Sequence, residues 1–356
     1  MVPERVRCLY TESVMYEFGV FIGRFQPLHS AHLETIKFAL ARAATLVIGL
    51  GSCNQSPDTR NPWSGQERAE MILSCLTPEE RSRIRFAYLE DFYYNNLQWV
   101  GGVQKAIKAH TGDSKSIKLI GHKKDSSSFY LKLFPQWGPY LETGINADID
   151  ASKIRNLLFT QDKISIKPML PIIVYNRIVS WMETPEYKRL HDEQHYIWNE
   201  QEKWRGSEFP PHFVTVDAVC VCSGHILVVR RGGKYGRGQI ALPGGYLNVA
   251  ETLEKSCIRE LKEETSIRIP KHELASMIVD HDQFDHPLRD LRGRVITHAF
   301  CFNLPPGELP QVKGSDDADK SWWMSILAID ENRDKFFSDH WHIIDRFRAR
   351  GDNFKI

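Results

Sequence analysis

Apolar and polar positions alternate with two different periods along this chain, and the change of period divides it. In the first half, EFGVFIG (17–23) is a short apolar run of the kind a buried strand needs. LETIKFALARAA then places Leu33, Ile36, Leu40 and Ala43 on one helical face. TLVIGLG (45–51) predicts a second buried strand. SGQERAEMILSCL (64–76) predicts a helix, opened by Ser64 with Glu67 three residues on, a capping box. A strand over 84–91, a helix over 99–110 with Val100, Val103 and Ile107 in register, and a strand over 116–121 continue the alternation. Strands separated by helices imply βαβ units and a parallel sheet, which binds ligands beyond the carboxyl ends of its strands.

The texture changes at about 184. TPEYKRLHDEQHYIWNEQEKWRGSEFPPH is charged and aromatic and ends in two prolines, so it predicts a polar helix running into a linker. From 212, FVTVDAVCV alternates with period two, HILVVRR follows a Ser-Gly turn, and a long helix and further strands come later. The fold class is therefore α/β. An N-terminal Rossmann-like parallel sheet occupies 1–184, a helical linker 185–211, and an α+β domain 212–356.

A length of 356 residues suits two cores better than one. The formal net charge of +1 gives no global field to attract nucleic acid, so local basic groups would serve small phosphorylated ligands instead. Seven cysteines without a CxxC pair argue against a disulfide framework or a structural zinc, and for a reducing compartment. Arg5 and Arg7 have no apolar stretch behind them, and MLPIIVYNRIVSW is broken by Asn176 and Arg177. These features lead us to expect a cytoplasmic protein with no membrane and no nucleic-acid partner.

The first candidate site is GRFQPLHSAH (23–32), between a predicted strand and a predicted helix. No P-loop and no GxGxxG is present. Two histidines at a helix start serve either capping and packing or an anion, since that end offers free N–H groups and partial positive charge. The whole string of Gly23, Phe25, Pro27, His29 and His32 resembles the HxxH signature of the nucleotidylyltransferases, with the flanking pattern of the archaeal-type NMN adenylyltransferases. NPWSGQERAEMI (61–72) resembles that family's second segment, and IDASKIRNLL (149–158) its late ISxTxxR motif. Here Asp150 stands where serine is common, and Ser152 where threonine is common, keeping a hydroxyl for a phosphate or a helix cap. GHKKDSSSFYLKLFPQW (121–137) resembles a phosphate-side loop of two-domain bacterial members.

The resemblance implies adenylyl transfer. The phosphate of NMN attacks the α-phosphorus of ATP and pyrophosphate leaves, with magnesium bridging phosphate oxygens and no protein nucleophile. It implies that His29 and His32 meet the ATP phosphates and that Arg155 meets the leaving pyrophosphate. Gly23, Arg24, Phe25, Pro27, Asn61, Gly121, Lys123 and Ser152 would complete the nucleotide site. Trp99 would stack on nicotinamide, although its position suits a core residue too. Lys123 and Lys124 also read as solvated charges.

The second candidate site is GYLNVAETLEKSCIRELKEETSI (245–267), just after ALPGGYL. Gly245, Glu251 and the run Arg259-Glu260-Leu261-x-Glu263-Glu264 match the Nudix box, with Ser266 in place of the usual terminal glycine. On a helix Glu260, Glu263 and Glu264 share a side. Carboxylates held that close repel and call for a hard divalent cation, Mg²⁺ or Mn²⁺. The resemblance implies that Arg259 orients these glutamates, and that the metals they hold activate water against a diphosphate. No SQPWPF string of the NADH-cleaving branch follows the box, whereas DHPLRDLRGRVIT (285–297) resembles the RDxRGR segment of ADP-ribose pyrophosphatases, with Arg294 as a substrate contact. SDDADKSWW (315–323) offers Asp316, Asp317 or Asp319 as a further ligand or base.

The expectation is a bifunctional enzyme of NAD metabolism acting on ATP, NMN and ADP-ribose. The alternatives are a Nudix half that acts on another nucleoside diphosphate derivative or senses ADP-ribose, and a transferase half that takes nicotinate mononucleotide. Homo-oligomerisation stays open.

Overall fold

A computed structural model of the chain describes residues 15–123, 126–145, 149–314 and 318–351, without side-chain positions at 126, 127, 318 and 319. Lys124, Asp316 and Asp317, and the side chain of Asp319, lie outside the described residues. Residues fall into two compact units. The first comprises the described parts of 1–53, 63–90 and 97–180, and the second 54–62, 91–96 and 181–351.

The first unit runs β1 (Tyr16–Gly23), α1 (Ser30–Leu40), β2 (Ala43–Leu50), α2 (Gly65–Ser74), α3 (Pro78–Ser82), β3 (Ile84–Tyr88), α4 (Asn96–Thr111), β4 (Ile117–Gly121), β5 (Leu141–Glu142), α5 (Ala151–Phe159), α6 (Lys163–Ile166) and α7 (Ile172–Trp181). Its five strands are parallel, in the order β3-β2-β1-β4-β5. The order reverses between β1 and β4, so the crevice beyond their carboxyl ends is the place such a sheet offers a ligand. Val20, Phe21 and Ile22 of β1 are all buried, as a strand covered on both faces requires.

The expected helical face fails at one position. The helix closes at Leu40, and Ala43 opens β2 opposite Tyr16. Ala41 and Arg42 turn the chain by donating to Lys37 and Ala39 carbonyls, and the β-branched Thr45, Val47 and Ile48 then favour the strand. The capping box at Ser64 is present, with each side chain bonded to the other's backbone N–H.

The second unit begins with α8 (Pro185–Glu202) and continues through β6 (His212–Cys222), β7 (His225–Arg231), β8 (Ile240–Ala241), β9 (Gly244–Tyr246), α9 (Leu253–Thr265), α10 (Lys271–Ser276), β10 (Ile278–Phe284), β11 (Arg294–Asn303), β12 (Ala318–Ser325), α11 (Ile326–Glu331) and α12 (His340–Arg348). Its sheet is mixed. β6 lies parallel to β11 and antiparallel to β7, and β9 pairs with β6. The alternation in β6 decides the layering. Val216, Ala218 and Cys220 face Cys257, Ile258 and Leu261 of α9, while Val219 and Val221 face Trp341, Ile344 and Phe347 of α12. The sheet is thus covered by a helix on each side.

Ser266 occupies the position where the motif usually has glycine, and its φ of 52° is left-handed. Its N–H donates to the Lys262 carbonyl, closing α9. The serine keeps the glycine's turn, at a modest steric cost. Among the described residues no helix is long and apolar enough to cross a membrane, and Cys53, Cys75, Cys220, Cys222, Cys257 and Cys301 are free thiols.

Candidate active sites

In the first unit the loop after β1 is shaped by Phe25. Its φ of 53° is unusual for an aromatic residue, and burial of its ring against Phe21 and His32 holds it there. A β-carbon on Gly23 would press on that ring at 3.0 Å, so the glycine gives the ring its place. Pro27 and Leu28 are buried beside it, and Arg24 is exposed. His29 is the N-cap of α1. Its Nδ1 accepts from the His32 backbone N–H at 3.4 Å, and the two imidazoles stack with centroids 3.5 Å apart. His29 is buried and His32 half-buried. Both rings therefore stand at the helix opening, at the strand-order reversal, as the motif predicts.

The loop is fastened from three directions. The Gln26 side chain exchanges two hydrogen bonds with the Trp63 backbone, at 2.7 and 3.1 Å. Arg155 donates from Nη1 to the Gln26 carbonyl at 2.6 Å and from Nη2 to Ser152 Oγ at 3.0 Å. Arg68, fully buried, donates from one nitrogen to the carbonyls of Arg24 and Gly51, tying the ends of β1 and β2 together. Sequence reasoning passed over Arg68. Its signal was a cation on the apolar face of α2, four residues before Ile72. Ser152 does not cap α5. Asp150 does, accepting from the Ser152 N–H at 2.6 Å, which gives the departure at that position a structural use.

The other expected residues are more scattered. Trp99 is half-buried and packs in the core cluster with Phe134, 6.1 Å away. Gly121 ends β4, with no room for a β-carbon beside Leu131. Lys123 is exposed, and its backbone N–H donates to Glu142. Asn61 falls in the second unit, where its N–H donates to Asp58.

In the second unit α9 presents its acids beside β9. Arg259 donates from Nε to Glu251, and from Nη1 to Glu260 at 2.8 Å and to Glu263 at 2.9 Å. Burial opposes the charge of Arg259, but hydrogen bonds to Glu260, Glu251 and Glu263 hold its proton more tightly than usual. The same contact holds Glu251 below the ordinary carboxylate range. Glu264 differs. It turns inward, accepts from the Gly244 N–H at 3.0 Å, and burial pushes its carboxyl up to about 8, with Glu260 adding repulsion. A β-carbon on Gly245 would lie 2.4 Å from Glu260, so only glycine leaves that carboxylate its place.

Among the described residues no three acidic, His or Cys side chains already converge on one point. Arg259 provides the compensating charge for Glu260 and Glu263. The donor set nonetheless suits a hard cation: oxygen ligands within one helical turn, a buried acid, Glu264, repelled by Glu260, and a glycine that clears the approach to Glu260.

A cavity of about 150 Å³ opens beside Glu264. Glu264, Gly244, Gly245, Asp217, Arg231 and His340 are among its lining residues. From the RDxRGR segment it takes Arg289, Asp290 and Arg292. Arg294 is not in the lining and pairs instead with Asp285.

Residues 20–156 match the cytidylyltransferase-like family, and residues 211–347 match the NUDIX domain. The nicotinamide/nicotinic acid mononucleotide adenylyltransferase of Acinetobacter baylyi is 36% identical over 178 residues, covering 49% of this chain and 93% of that protein. An ADP-ribose pyrophosphatase of Methanocaldococcus jannaschii is 35% identical over 131 residues, covering 37% of this chain and 70% of that one. The crystal structure of a bifunctional NMN adenylyltransferase/ADP ribose pyrophosphatase from Francisella tularensis, complexed with AMP and a Mn ion, superposes with a TM-score of 0.88. It is 33% identical, and the match covers 94% of this chain and 99% of that one. The chain belongs to this bifunctional family. It carries a nucleotidyltransferase domain and a Nudix hydrolase domain.

Proposed function

We propose that this chain joins NMN and ATP into NAD in its first domain and cleaves ADP-ribose to AMP and ribose 5-phosphate in its second. We assign the transferase to 1–184 and the hydrolase to 212–356, with 185–211 as the helical link, in a cytoplasmic protein. The observation that supports this most is the likeness along nearly the whole chain to one enzyme whose name carries both activities.

In the transferase, an oxygen of the NMN phosphate attacks the α-phosphorus of ATP. The bond to the β-phosphate oxygen breaks, and pyrophosphate leaves. The N–H groups at the start of α1, with His29 and His32, bind the triphosphate and meet the charge that develops on it. Arg155 holds the Gln26 loop in the position this needs and presents its charge beside Ser152, where pyrophosphate would depart. Phe25 and Pro27 exclude water beneath the loop.

In the hydrolase, Glu260, Glu263 and Glu264 would hold Mg²⁺ or Mn²⁺. Bound there, the ion supplies charge neutralisation on the diphosphate and lowers the pKa of a water. Arg259 keeps Glu260 and Glu263 oriented on α9, and Arg231 and Arg292 in the cavity lining offer guanidinium donors to a diphosphate.

The test is a substrate panel on the full chain with His32→Ala and Glu263→Gln. The first should lose NAD synthesis and keep ADP-ribose cleavage, and the second the reverse. Loss of both activities by either variant, with the fold intact, would refute the assignment. Nicotinate mononucleotide belongs in the panel, since the name of the Acinetobacter relative covers both mononucleotides.

A further inference from the structure

Deep in the hydrolase cavity stand a hydrogen-bond donor and an acceptor that the chemistry above does not use. His340 opens α12 and is buried, with the Phe337 ring edge-on at 5.3 Å. The Leu242 backbone N–H donates to its Nδ1 at 2.9 Å. That bond needs a lone pair on Nδ1, so the neutral ring carries its proton on Nε2. Nε2 faces Asp217 Oδ1 across 4.0 Å.

Asp217 lies on β6 and is also buried. Its second oxygen is engaged: the Thr297 hydroxyl donates to Oδ2 at 2.6 Å, and Arg289 stands 3.7 Å from it. Oδ1 is left facing His340 and Gly244, where a β-carbon would come within 2.5 Å of it. Both residues line the cavity.

A gap of 4.0 Å between N–H and carboxylate is too long for a direct hydrogen bond. One oxygen set to the cavity side of that gap can reach both partners at about 2.8 Å. That atom must accept from Nε2–H and donate to the carboxylate. A phosphate oxygen cannot donate and would be repelled by Asp217. The exocyclic amine of adenine donates but does not accept, and the ring nitrogens accept but do not donate. Within ADP-ribose the ribose hydroxyls are the groups that do both at one atom.

We propose that Asp217 and His340 together bind a ribose hydroxyl of the hydrolase substrate and so select a ribosylated diphosphate over one lacking that group. This rests on the ADP-ribose reading of the same site. A polar pair built around a hydroxyl rejects the analogue without it, because both buried partners are then left unpaired.

The experiment is a substrate-against-variant cycle on the full-length protein with saturating Mg²⁺. The substrates are ADP-ribose and analogues deoxygenated on the terminal or the adenosine ribose. His340→Phe removes the donor and His340→Gln restores one, since a glutamine amide can accept from Leu242 and donate into the cavity. We expect H340F to lower kcat/KM for ADP-ribose by about tenfold to a hundredfold, mainly through KM, and H340Q to recover part of it. One deoxy analogue should be equally poor with wild type and with H340F. NAD synthesis and thermal melting report the fold. If H340F melts, Asp217→Asn runs the same cycle, since an amide keeps an acceptor for Thr297 and loses the anionic one. An H340F enzyme as active as wild type, or one losing equally on every analogue, overturns the proposal. A wild-type enzyme inert to ADP-ribose but active on another ribosylated diphosphate overturns the functional reading instead, and the cycle then moves to deoxy forms of that substrate.

Discussion

Gly245 and Glu260 occupy one space: a β-carbon on the first would sit 2.4 Å from a carboxylate oxygen of the second. Gly245→Ala must therefore push Glu260 off its position on α9. Displacement of a reacting group by about 1 Å costs on the order of a hundredfold in rate. ADP-ribose cleavage by G245A should fall by about that factor, while NAD synthesis stays at the wild-type rate. Parallel assays of the two reactions on one preparation check this.

Arg155 spans the Gln26 carbonyl and Ser152 Oγ with two nitrogens of a planar fork. Lysine cannot make both bonds. Arg155→Lys should slow NAD synthesis by about a hundredfold or more. It should also leave the Gln26 carbonyl poorly paired, at a cost of about 1–3 kcal/mol measurable by denaturant unfolding. Hydrolysis should be unaffected. Equal loss of both activities would mean that the substitution acts through global unfolding.

Arg289 and Asp339 form a buried bidentate pair, at 2.9 and 3.1 Å, and the Tyr94 hydroxyl adds a third bond to Asp339 at 2.6 Å. Burial favours the neutral acid, but the Arg289 charge holds the Asp339 carboxyl below its usual range. Arg289→Met strands a buried carboxylate and should destabilise the second unit by about 3–5 kcal/mol. The double variant Arg289→Met with Asp339→Leu should recover part of that, since the stranded Asp339 carboxylate is then gone. Thermal melts of the set give the comparison.

Glu193 is a buried acid on α8, with Arg189 3.5 Å away and the Gly236 N–H donating to it. Burial raises its carboxyl from 4.5 to about 7. Between those pH values the unfolded chain has lost this proton and the folded chain keeps it. The folded state therefore binds more protons, and stability falls as pH rises through that window, then levels off above about 7. Glu193→Gln carries no ionisable group and keeps the acceptor for Gly236. Its stability should be flatter across the same window in chemical denaturation at stepped pH.

Much of this was legible in the sequence because it is local. A period of two or 3.6 needs only neighbouring residues, so the strands and helices could be placed within a few positions, apart from Ala43, where the turn after Leu40 ended the helical face early. The two motifs were legible for the same reason. His29 and His32 are three residues apart and meet at one helix start, and Glu260, Glu263 and Glu264 lie within a single turn of α9. The cap of α5 was read onto Ser152 and falls to Asp150, because a helix cap depends on where the helix begins, which shifts by a residue or two from any sequence pattern.

What the chain's order alone determined is which residue types gather at each helix opening. Only tertiary packing decided what those residues can do. Glu260, Glu263 and Glu264 are equivalent by spacing, yet Glu264 turns inward under the cavity wall, where burial raises its carboxyl to about 8, while Glu260 and Glu263 are held by Arg259. Arg68 reaches Arg24 across 44 residues, and Leu242 sets the tautomer of His340 across 98. Burial and the pairing of distant backbone groups fix charge and donor direction, and neither quantity exists until the sheets are covered.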